Sequence, residues 1–211
     1  MIKNILIVGA GGFGREVLFW AKDTFCPLSY NIKGFIVSTL DNTLTALPLP
    51  IFNEETYSIN INDYFLVAIG DPDIKKKAYN TLNLRGANFI SLIHPSSIVL
   101  PTVKIGSGVI ICPHSVISDN VILEDFTSIN LNVTVGHDAI IKSFSTLSPH
   151  VSIGGKSTIG SLCLIGSNAS VSPKVILGDK SRVTANSFVC HNTSIGSLVI
   201  GVPGKEYQDI Y

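Results

Sequence analysis

The chain has 211 residues, of which 45% are hydrophobic and 14% charged, and its fifteen basic residues balance fifteen acidic ones. No run reaches the roughly 18 consecutive apolar residues that span a membrane, and the only basic cluster is Lys75–Lys77, so neither a membrane nor nucleic acid is expected as a partner. The cysteines have no CxxC spacing and no signal peptide is recognisable, which predicts a cytoplasmic protein with reduced thiols.

The first predicted element is a strand over residues 4–8, followed by the glycine-rich turn Gly9–Gly14 and a helix with apolar residues at helical spacing. Glycines between a strand and a helix let the backbone approach a phosphate, which the helix N-terminus attracts. Further strands are predicted at residues 34–37, 64–70 and 88–93, with a helix after Pro72. This pattern predicts a Rossmann-like α/β domain over residues 1–94.

The ligand predicted for the glycine turn is a nucleotide or nucleotide sugar bound through its pyrophosphate. A dinucleotide-dependent dehydrogenase carries an acidic residue after the second strand to hold the ribose 2′-hydroxyl, whereas this strand ends in Val37-Ser38. That difference argues against NAD(P) chemistry. The alternative that the glycines serve only close packing stays open.

A hexapeptide repeat begins at Ser96 and occupies most of residues 95–211. The fourth residue of seventeen consecutive hexads is aliphatic. Each hexad predicts a short strand and a turn, and three hexads close one coil of a parallel β-helix whose inward aliphatic side chains stack. The general rule for parallel connections would favour right-handed coils. The predicted inward residues are Val99, Ile105, Ile111, Ile117, Leu123, Ile129, Val135, Ile141, Leu147, Ile153, Ile159, Ile165, Val171, Leu177, Val183, Val189 and Ile195.

The whole chain resembles the bacterial nucleotide-sugar acetyltransferases that join a nucleotide-binding domain to a left-handed β-helix. The matching motifs are Gly9–Glu16, Ala68–Asp71, His94-Pro95, Val135–Asp138, Ser152–Gly155 and Gly201–Lys205. The resemblance implies left-handed coils, a homotrimer, and an acetyl-CoA-dependent N-acetyltransferase that needs no metal. It also implies an acceptor amine at C4 of a dTDP- or UDP-linked 4-amino-4,6-dideoxy sugar, used in surface glycan biosynthesis.

The same resemblance assigns binding residues in each domain. Acetyl-CoA is expected between adjacent β-helices, and Thr146 occupies the position of a second histidine that contacts CoA in the family. The expected CoA contacts are Thr146, Gly155, Ala185 and Lys205. The expected nucleotide-sugar contacts are Gly11, Gly12, Phe13, Gly14, Ser38, Gly70 and Lys75.

His137 is the predicted general base, because a neutral imidazole at a corner of the β-helix can accept a proton from an attacking amine. Two carboxylates are candidates for orienting its ring. The 18-residue coil places Asp119 one coil below His137, and the family resemblance favours Asp138 instead. The expected oxyanion donor is the backbone N–H of Gly155, one coil above His137.

Two other functions remain as alternatives, and a third, carbonic anhydrase activity, is disfavoured. A related enzyme that O-acetylates a sugar or sialic acid would use the same base, and a non-catalytic β-helix scaffold would bind neither CoA nor nucleotide. A β-helical carbonic anhydrase would carry a His-x4-His pair for zinc, and this sequence has none.

Overall fold

The computed structural model describes residues 2–39 and 47–208. The chain divides into two compact units, Met1–His94 and Pro95–Tyr211. None of the helices in these described ranges is long and apolar enough to cross a membrane.

The first unit contains a five-stranded parallel sheet in the order β3-β2-β1-β4-β5. Its central strand buries Ile5 to Val8 almost completely, as expected of a parallel sheet covered by helices. The elements are β1 (Lys3–Val8), α1 (Gly12–Thr24), β2 (Tyr30–Val37), β3 (Ile51–Asn53), β4 (Asp63–Val67), α2 (Pro72–Leu84), β5 (Asn88–Phe89) and β6 (Leu92–Ile93).

The sequence predicted the order of these elements but missed one strand. β3 has only three residues and follows Pro50, so it carries too little alternation to be recognised. The single strand predicted over residues 88–93 is two short strands, β5 and β6.

The second unit is a parallel β-helix with three faces. The first face contains β7 (Ile98–Val99), β10 (Val116–Ile117), β13 (Thr134–Val135), β16 (Ser152–Ile153), β19 (Ser170–Val171) and β22 (Phe188–Val189). The second face contains β8 (Lys104–Ile105), β11 (Ile122–Leu123), β14 (Ile140–Ile141), β17 (Thr158–Ile159) and β20 (Ile176–Leu177). The third face contains β9 (Ile110–Ile111), β12 (Ser128–Ile129), β15 (Thr146–Leu147), β18 (Leu164–Ile165), β21 (Arg182–Val183), β23 (Leu198–Ile200) and the antiparallel β24 (Lys205–Tyr207).

The predicted hexad register is confirmed from Val99 to Val189. Ile117 pairs with Val135 and Val135 with Ile153, a spacing of 18 residues. The inward residues from Ile111 onward are at most 3% exposed, and Val99 and Ile105 pack against the same core at its first coil. The predicted fold class, an α/β domain followed by a parallel β-helix, is therefore correct.

The prediction of a seventeenth hexad, with Ile195 pointing inward, is wrong. Ile195 is 70% exposed, and the last coil is shorter, because Val183 pairs with Val199 after 16 residues. The shortened return is stabilised by Glu206, whose carboxylate accepts hydrogen bonds from the Ser194 N–H and the Ser197 hydroxyl. Val199, which lies beside Val183 on the third face, is the next inward residue after Val189.

Candidate active site

The glycine turn of the first unit contains two structurally different pairs of glycines. Gly9 has a φ of +99°, and a Cβ on Gly14 would lie 2.0 Å from the Gly9 carbonyl oxygen, so packing alone requires both residues to be glycine. A Cβ on Gly11 or Gly12 would meet nothing within 4 Å. The second pair faces open space and is not explained by packing, which favours a ligand over the purely structural alternative.

The two helix N-termini beside this turn differ in their capping. Helix α1 begins after Gly11, which provides no side-chain cap, and its first turn has no acidic residue. Helix α2 is capped by Asp71, whose Oδ1 accepts from the N–H groups of Asp73 and Ile74 at 2.9 and 3.0 Å. Only the α1 terminus therefore keeps uncapped N–H groups and a positive dipole end for an anion.

A cavity of about 430 Å³ lies at the carboxyl ends of the strands in the first unit. Its lining includes Gly9, Ser38, Glu54 and Lys77. The predicted contact Ser38 is therefore at the cavity. Gly70 lies at the same end of β4, and no protein atom lies within 4 Å of where its Cβ would be.

One of the predicted nucleotide contacts, Lys75, needs correction. Lys75 is completely buried, and burial lowers its pKa to about 7, so it is not available to a phosphate. Its position on α2 faces the sheet, and Lys77 reaches the cavity instead. The Phe13 ring packs edge-on against Trp20, with the ring centroids 6.2 Å apart, so this side chain contacts its own helix.

His137 lies at the corner between the first and second faces, which we call the histidine edge (residues 118–119, 136–137, 154–155 and 172–173). Its side chain is 62% exposed. His137 Nδ1 is 2.8 Å from Asp138 Oδ2, and Asn120 Nδ2 donates to Asp138 Oδ1 at 2.8 Å. The hydrogen bonds from Asn120 and then His137 hold the pKa of Asp138 below its usual range. The ionised carboxylate therefore keeps the proton on Nδ1 and leaves Nε2 as the basic nitrogen.

The structure decides between the two candidate carboxylates. Asp119 Oδ1 accepts from the Thr102 hydroxyl at 2.5 Å, and only its backbone carbonyl reaches the neighbourhood of His137, by accepting from the Asp138 N–H. The 18-residue stacking rule aligned the backbones correctly but did not predict side-chain direction. Sequence reasoning missed Asn120, although the same rule places it directly below Asp138.

Gly155 lies one coil above His137, as predicted, and it is in direct contact with the imidazole. A Cβ at this position would be 2.8 Å from Nε2 and 3.0 Å from Cδ2 and Cε1. In the described chain the Gly155 N–H donates to no other residue, and Pro173 occupies the same place in the next coil. Gly155, whose N–H has no acceptor in the described chain, therefore packs beside the imidazole of His137.

The other predicted CoA contacts are not at this edge within one chain. Ala185 is exposed at the corner between the third and first faces, and Lys205 is exposed in β24. Thr146 is only 3% exposed on the third face, so the single chain does not offer its side chain to a ligand as predicted. Threonine is shorter than the histidine found at this position in the family, and here it is covered.

Two of the four cysteines are too buried to offer a nucleophile. Burial raises the pKa of the Cys163 thiol to about 12, and Cys112 is fully buried. No group of three or more metal-ligating side chains occurs in residues 2–39 and 47–208.

Comparison with known proteins finds a family match within the first unit and similar sequences among named enzymes. Residues 4–82 match the family model of the PglD N-terminal domain. The chain is 29% identical over 144 residues to a GDP-perosamine N-acetyltransferase of Escherichia coli O157:H7, covering 65% of this chain and 64% of that protein. It is 32% identical over 113 residues to a UDP-N-acetylbacillosamine N-acetyltransferase of Bacillus subtilis (strain 168), covering 52% and 51%. The matched segments thus span less than two thirds of either relative.

Among solved structures, PerB from Caulobacter crescentus, in complex with CoA and GDP-perosamine, is similar over 98% of both chains, with a TM-score of 0.84 and 24% identity. This likeness shows that the fold is shared along the whole length. Residues 4–82 are thus similar to the PglD N-terminal domain, and the chain is similar in sequence to two proteins named as nucleotide-sugar N-acetyltransferases.

Proposed function

We propose that this protein is a nucleotide-sugar N-acetyltransferase that uses acetyl-CoA as its acetyl donor. The observation that carries the proposal is the arrangement at the histidine edge. Asp138 is hydrogen-bonded to His137 Nδ1, Nε2 has no hydrogen-bond partner in the described chain, and Gly155, whose N–H is also unused there, packs against the ring. A base and an adjacent oxyanion donor are the two groups that acyl transfer to an amine requires.

The proposed reaction is a direct transfer. Acetyl-CoA, when bound, supplies a thioester carbonyl as the electrophile. His137 Nε2 removes a proton from the sugar amine as the amine nitrogen bonds to the carbonyl carbon, and the Gly155 N–H donates to the carbonyl oxygen as negative charge develops on it. The carbon–sulfur bond then breaks, and the imidazolium returns the proton to the departing thiolate. The products are an N-acetylated sugar and CoA.

The first unit supplies the nucleotide site in this proposal. The open face of Gly11 and Gly12 and the uncapped N-terminus of α1 suit a diphosphate. Ser38 and Lys77 line the cavity beside them, and Lys77 brings a positive charge. PerB was solved with GDP-perosamine and CoA, and the two sequence relatives are named for GDP- and UDP-linked sugars, which supports this substrate class.

The donor site is proposed to need more than one subunit. His137 and Gly155 lie at one edge of the triangular β-helix, and Ala185 lies at another. A CoA molecule that touches both sets would have to lie between two chains, which is consistent with the homotrimer implied by the family resemblance. Light scattering after size exclusion should give the mass of a trimer.

The test of this function is thiol release from acetyl-CoA in the presence of UDP-, dTDP- and GDP-linked 4-amino-4,6-dideoxy sugars. We expect turnover with at least one sugar and a loss of about 100-fold or more in kcat for His137→Ala. His114→Ala is the matched control, since His114 is also an exposed corner histidine and lies at a different edge. Equal activity of the two variants would remove His137 from its proposed role.

The same assay separates the alternatives. Turnover only with hydroxyl acceptors would replace the N-acetyltransferase by an O-acetyltransferase. Binding of neither CoA nor any nucleotide would leave a structural scaffold.

A further inference from the structure

The cavity at the carboxyl ends of the strands in the first unit is lined by an acidic residue that sequence analysis did not find. Strand β2 ends in Val37-Ser38, so the usual acidic residue for the ribose hydroxyls is missing. The neighbouring parallel strand β3 supplies one directly after its last residue, Glu54. Val37 pairs with Asn53 in the register, which places Glu54 beside Ser38, about 4.8 Å away across the sheet.

The main chain of Glu54 is fixed from both sides. Its N–H donates to the Val37 carbonyl at 2.8 Å, and its carbonyl accepts from the Arg85 guanidinium, which also donates to the Tyr57 carbonyl. On the Glu54 side these bonds use only backbone atoms, so they do not occupy its carboxylate. Glu54 lines the cavity together with Ser38 and Lys77.

The Glu54 carboxylate has no internal use in the described structure. The residue is 7% exposed, and no described residue donates a hydrogen bond to the carboxylate or forms an ion pair with it. Burial raises the pKa of this group, and the neighbouring charges of Lys77 and Arg85 counter only part of that effect. Because the described chain donates no hydrogen bond to this carboxylate and the residue lines the cavity, the cavity is suited to a ligand that provides such donors.

The chemistry of that ligand follows from the charges around the crevice. A carboxylate repels phosphate, and the phosphates have a better place at the uncapped N-terminus of α1. Two oxygens that only accept hydrogen bonds fit a pair of neighbouring hydroxyls. Building on the proposed function, we infer that Glu54 binds the ribose 2′- and 3′-hydroxyls, so that the enzyme selects ribonucleoside diphosphate sugars over 2′-deoxy ones.

The inference narrows the nucleotide-sugar substrate from UDP-, GDP- or dTDP-linked sugars to UDP- or GDP-linked sugars. A hydrogen bond to a charged acceptor changes binding by roughly 10- to 100-fold. We therefore expect the wild-type protein to bind GDP and UDP about tenfold or more tightly than dGDP and dUDP. In Glu54→Ala this ratio should fall to about one, with Glu54→Gln between the two.

The experiment is isothermal titration of the full-length protein with GDP, dGDP, UDP and dUDP. Glu55→Gln is the matched control, because it removes the same charge one residue away at an exposed position and should keep the wild-type ratio. Glu54→Gln preserves the shape and both backbone bonds, so its fold is checked by its unfolding temperature. If Glu54 had only a structural role, its substitution would weaken the binding of ribonucleotides and deoxyribonucleotides equally.

Three results would overturn the inference. A wild-type protein without preference between GDP and dGDP would remove the ribose contact and leave the acetyltransferase proposal intact. If Glu54→Ala weakened the binding of both GDP and dGDP but not that of UDP, the carboxylate would contact the guanine base instead of the ribose. Absence of binding to any of these nucleotides would overturn this inference together with the nucleotide-sugar substrate.

Discussion

The histidine edge and the corner between the second and third faces have the same backbone turn. They differ in the side chain that lies one coil later, next to an outward backbone N–H group. At the second corner, which we call the carboxylate edge (residues 106–107, 124–125, 142–143, 160–161 and 178–179), the N–H groups of Ser107 and Ser161 donate to Asp125 and Asp179 at 2.8 and 2.9 Å. At the histidine edge, the residue one coil after Gly155 is Pro173, whose side chain provides no hydrogen-bond acceptor.

This difference shows how a regular β-helix acquires a reactive edge. At the carboxylate edge, carboxylates 18 residues later accept from the outward N–H groups of Ser107 and Ser161. Where the later residue is proline, the N–H stays available to a ligand. The carboxylate edge therefore stabilises the fold, and the histidine edge is free to act on a substrate.

The largest expected effect that separates the edges is that of Gly155→Ala. The new Cβ would lie 2.8 Å from His137 Nε2, and the imidazole is the movable end of a side chain, so the ring should shift at little cost in stability. We expect kcat to fall about 100-fold or more, since both the base and the oxyanion donor are disturbed. Thiol release and thermal unfolding measure the two quantities.

Gly160→Ala tests the carboxylate edge at the turn position that precedes Ser161, the residue equivalent to Gly155. Its Cβ would lie 2.6 Å from the backbone nitrogen of Asp179, which cannot move away freely. This variant should lose roughly 1–3 kcal/mol of stability and keep its kcat. If Gly155→Ala proved unstable and active, the assignment of the two edges would be reversed.

Asp138→Asn should have the next largest effect. It removes the negative charge that orients His137 and stabilises the imidazolium, and we expect kcat to fall by about 10- to 100-fold. Asp119→Asn is the control, because Asp119 is bonded to Thr102 and should remain close to wild type. Equal losses in steady-state kinetics would restore Asp119 as a candidate.

Asp179→Ala should act on stability alone. It leaves the Ser161 N–H without its carboxylate acceptor, at a cost of about 1 kcal/mol in the free energy of unfolding. Urea denaturation measures this change, with kcat expected to be unaltered. A loss of activity without a loss of stability would contradict a purely structural carboxylate edge.

The smallest expected effect on turnover is that of Asn120→Ala, about threefold to tenfold in kcat, because one hydrogen bond to Asp138 is lost. The pKa of Asp138 should rise toward its ordinary value, which carbon NMR of the carboxyl group would follow. A lowered carboxyl pKa favours the folded state above the unfolded pKa, and this contribution disappears as the pH falls through the folded pKa. An unchanged pKa would mean that Asn120 does not position Asp138.

The sequence by itself determined the β-helix, because an 18-residue coil must place an aliphatic residue inward at every sixth position. It also predicted that Gly11 and Gly12 would be open to a ligand, from the local motif, and that His137 and Gly155 would be neighbours, from the coil spacing. The resemblance to known acetyltransferases added Asp138.

Only the tertiary structure decided where particular side chains point. It directed Asp138 rather than Asp119 to His137, turned Lys75 into the protein and Lys77 to the cavity, and brought Glu54 beside Ser38 from a strand too short to predict. It also ended the repeat before Ile195, because Glu206 returns to bind the last coil. Periodicity specifies backbone positions, whereas side-chain direction and burial depend on neighbours that are distant in the sequence.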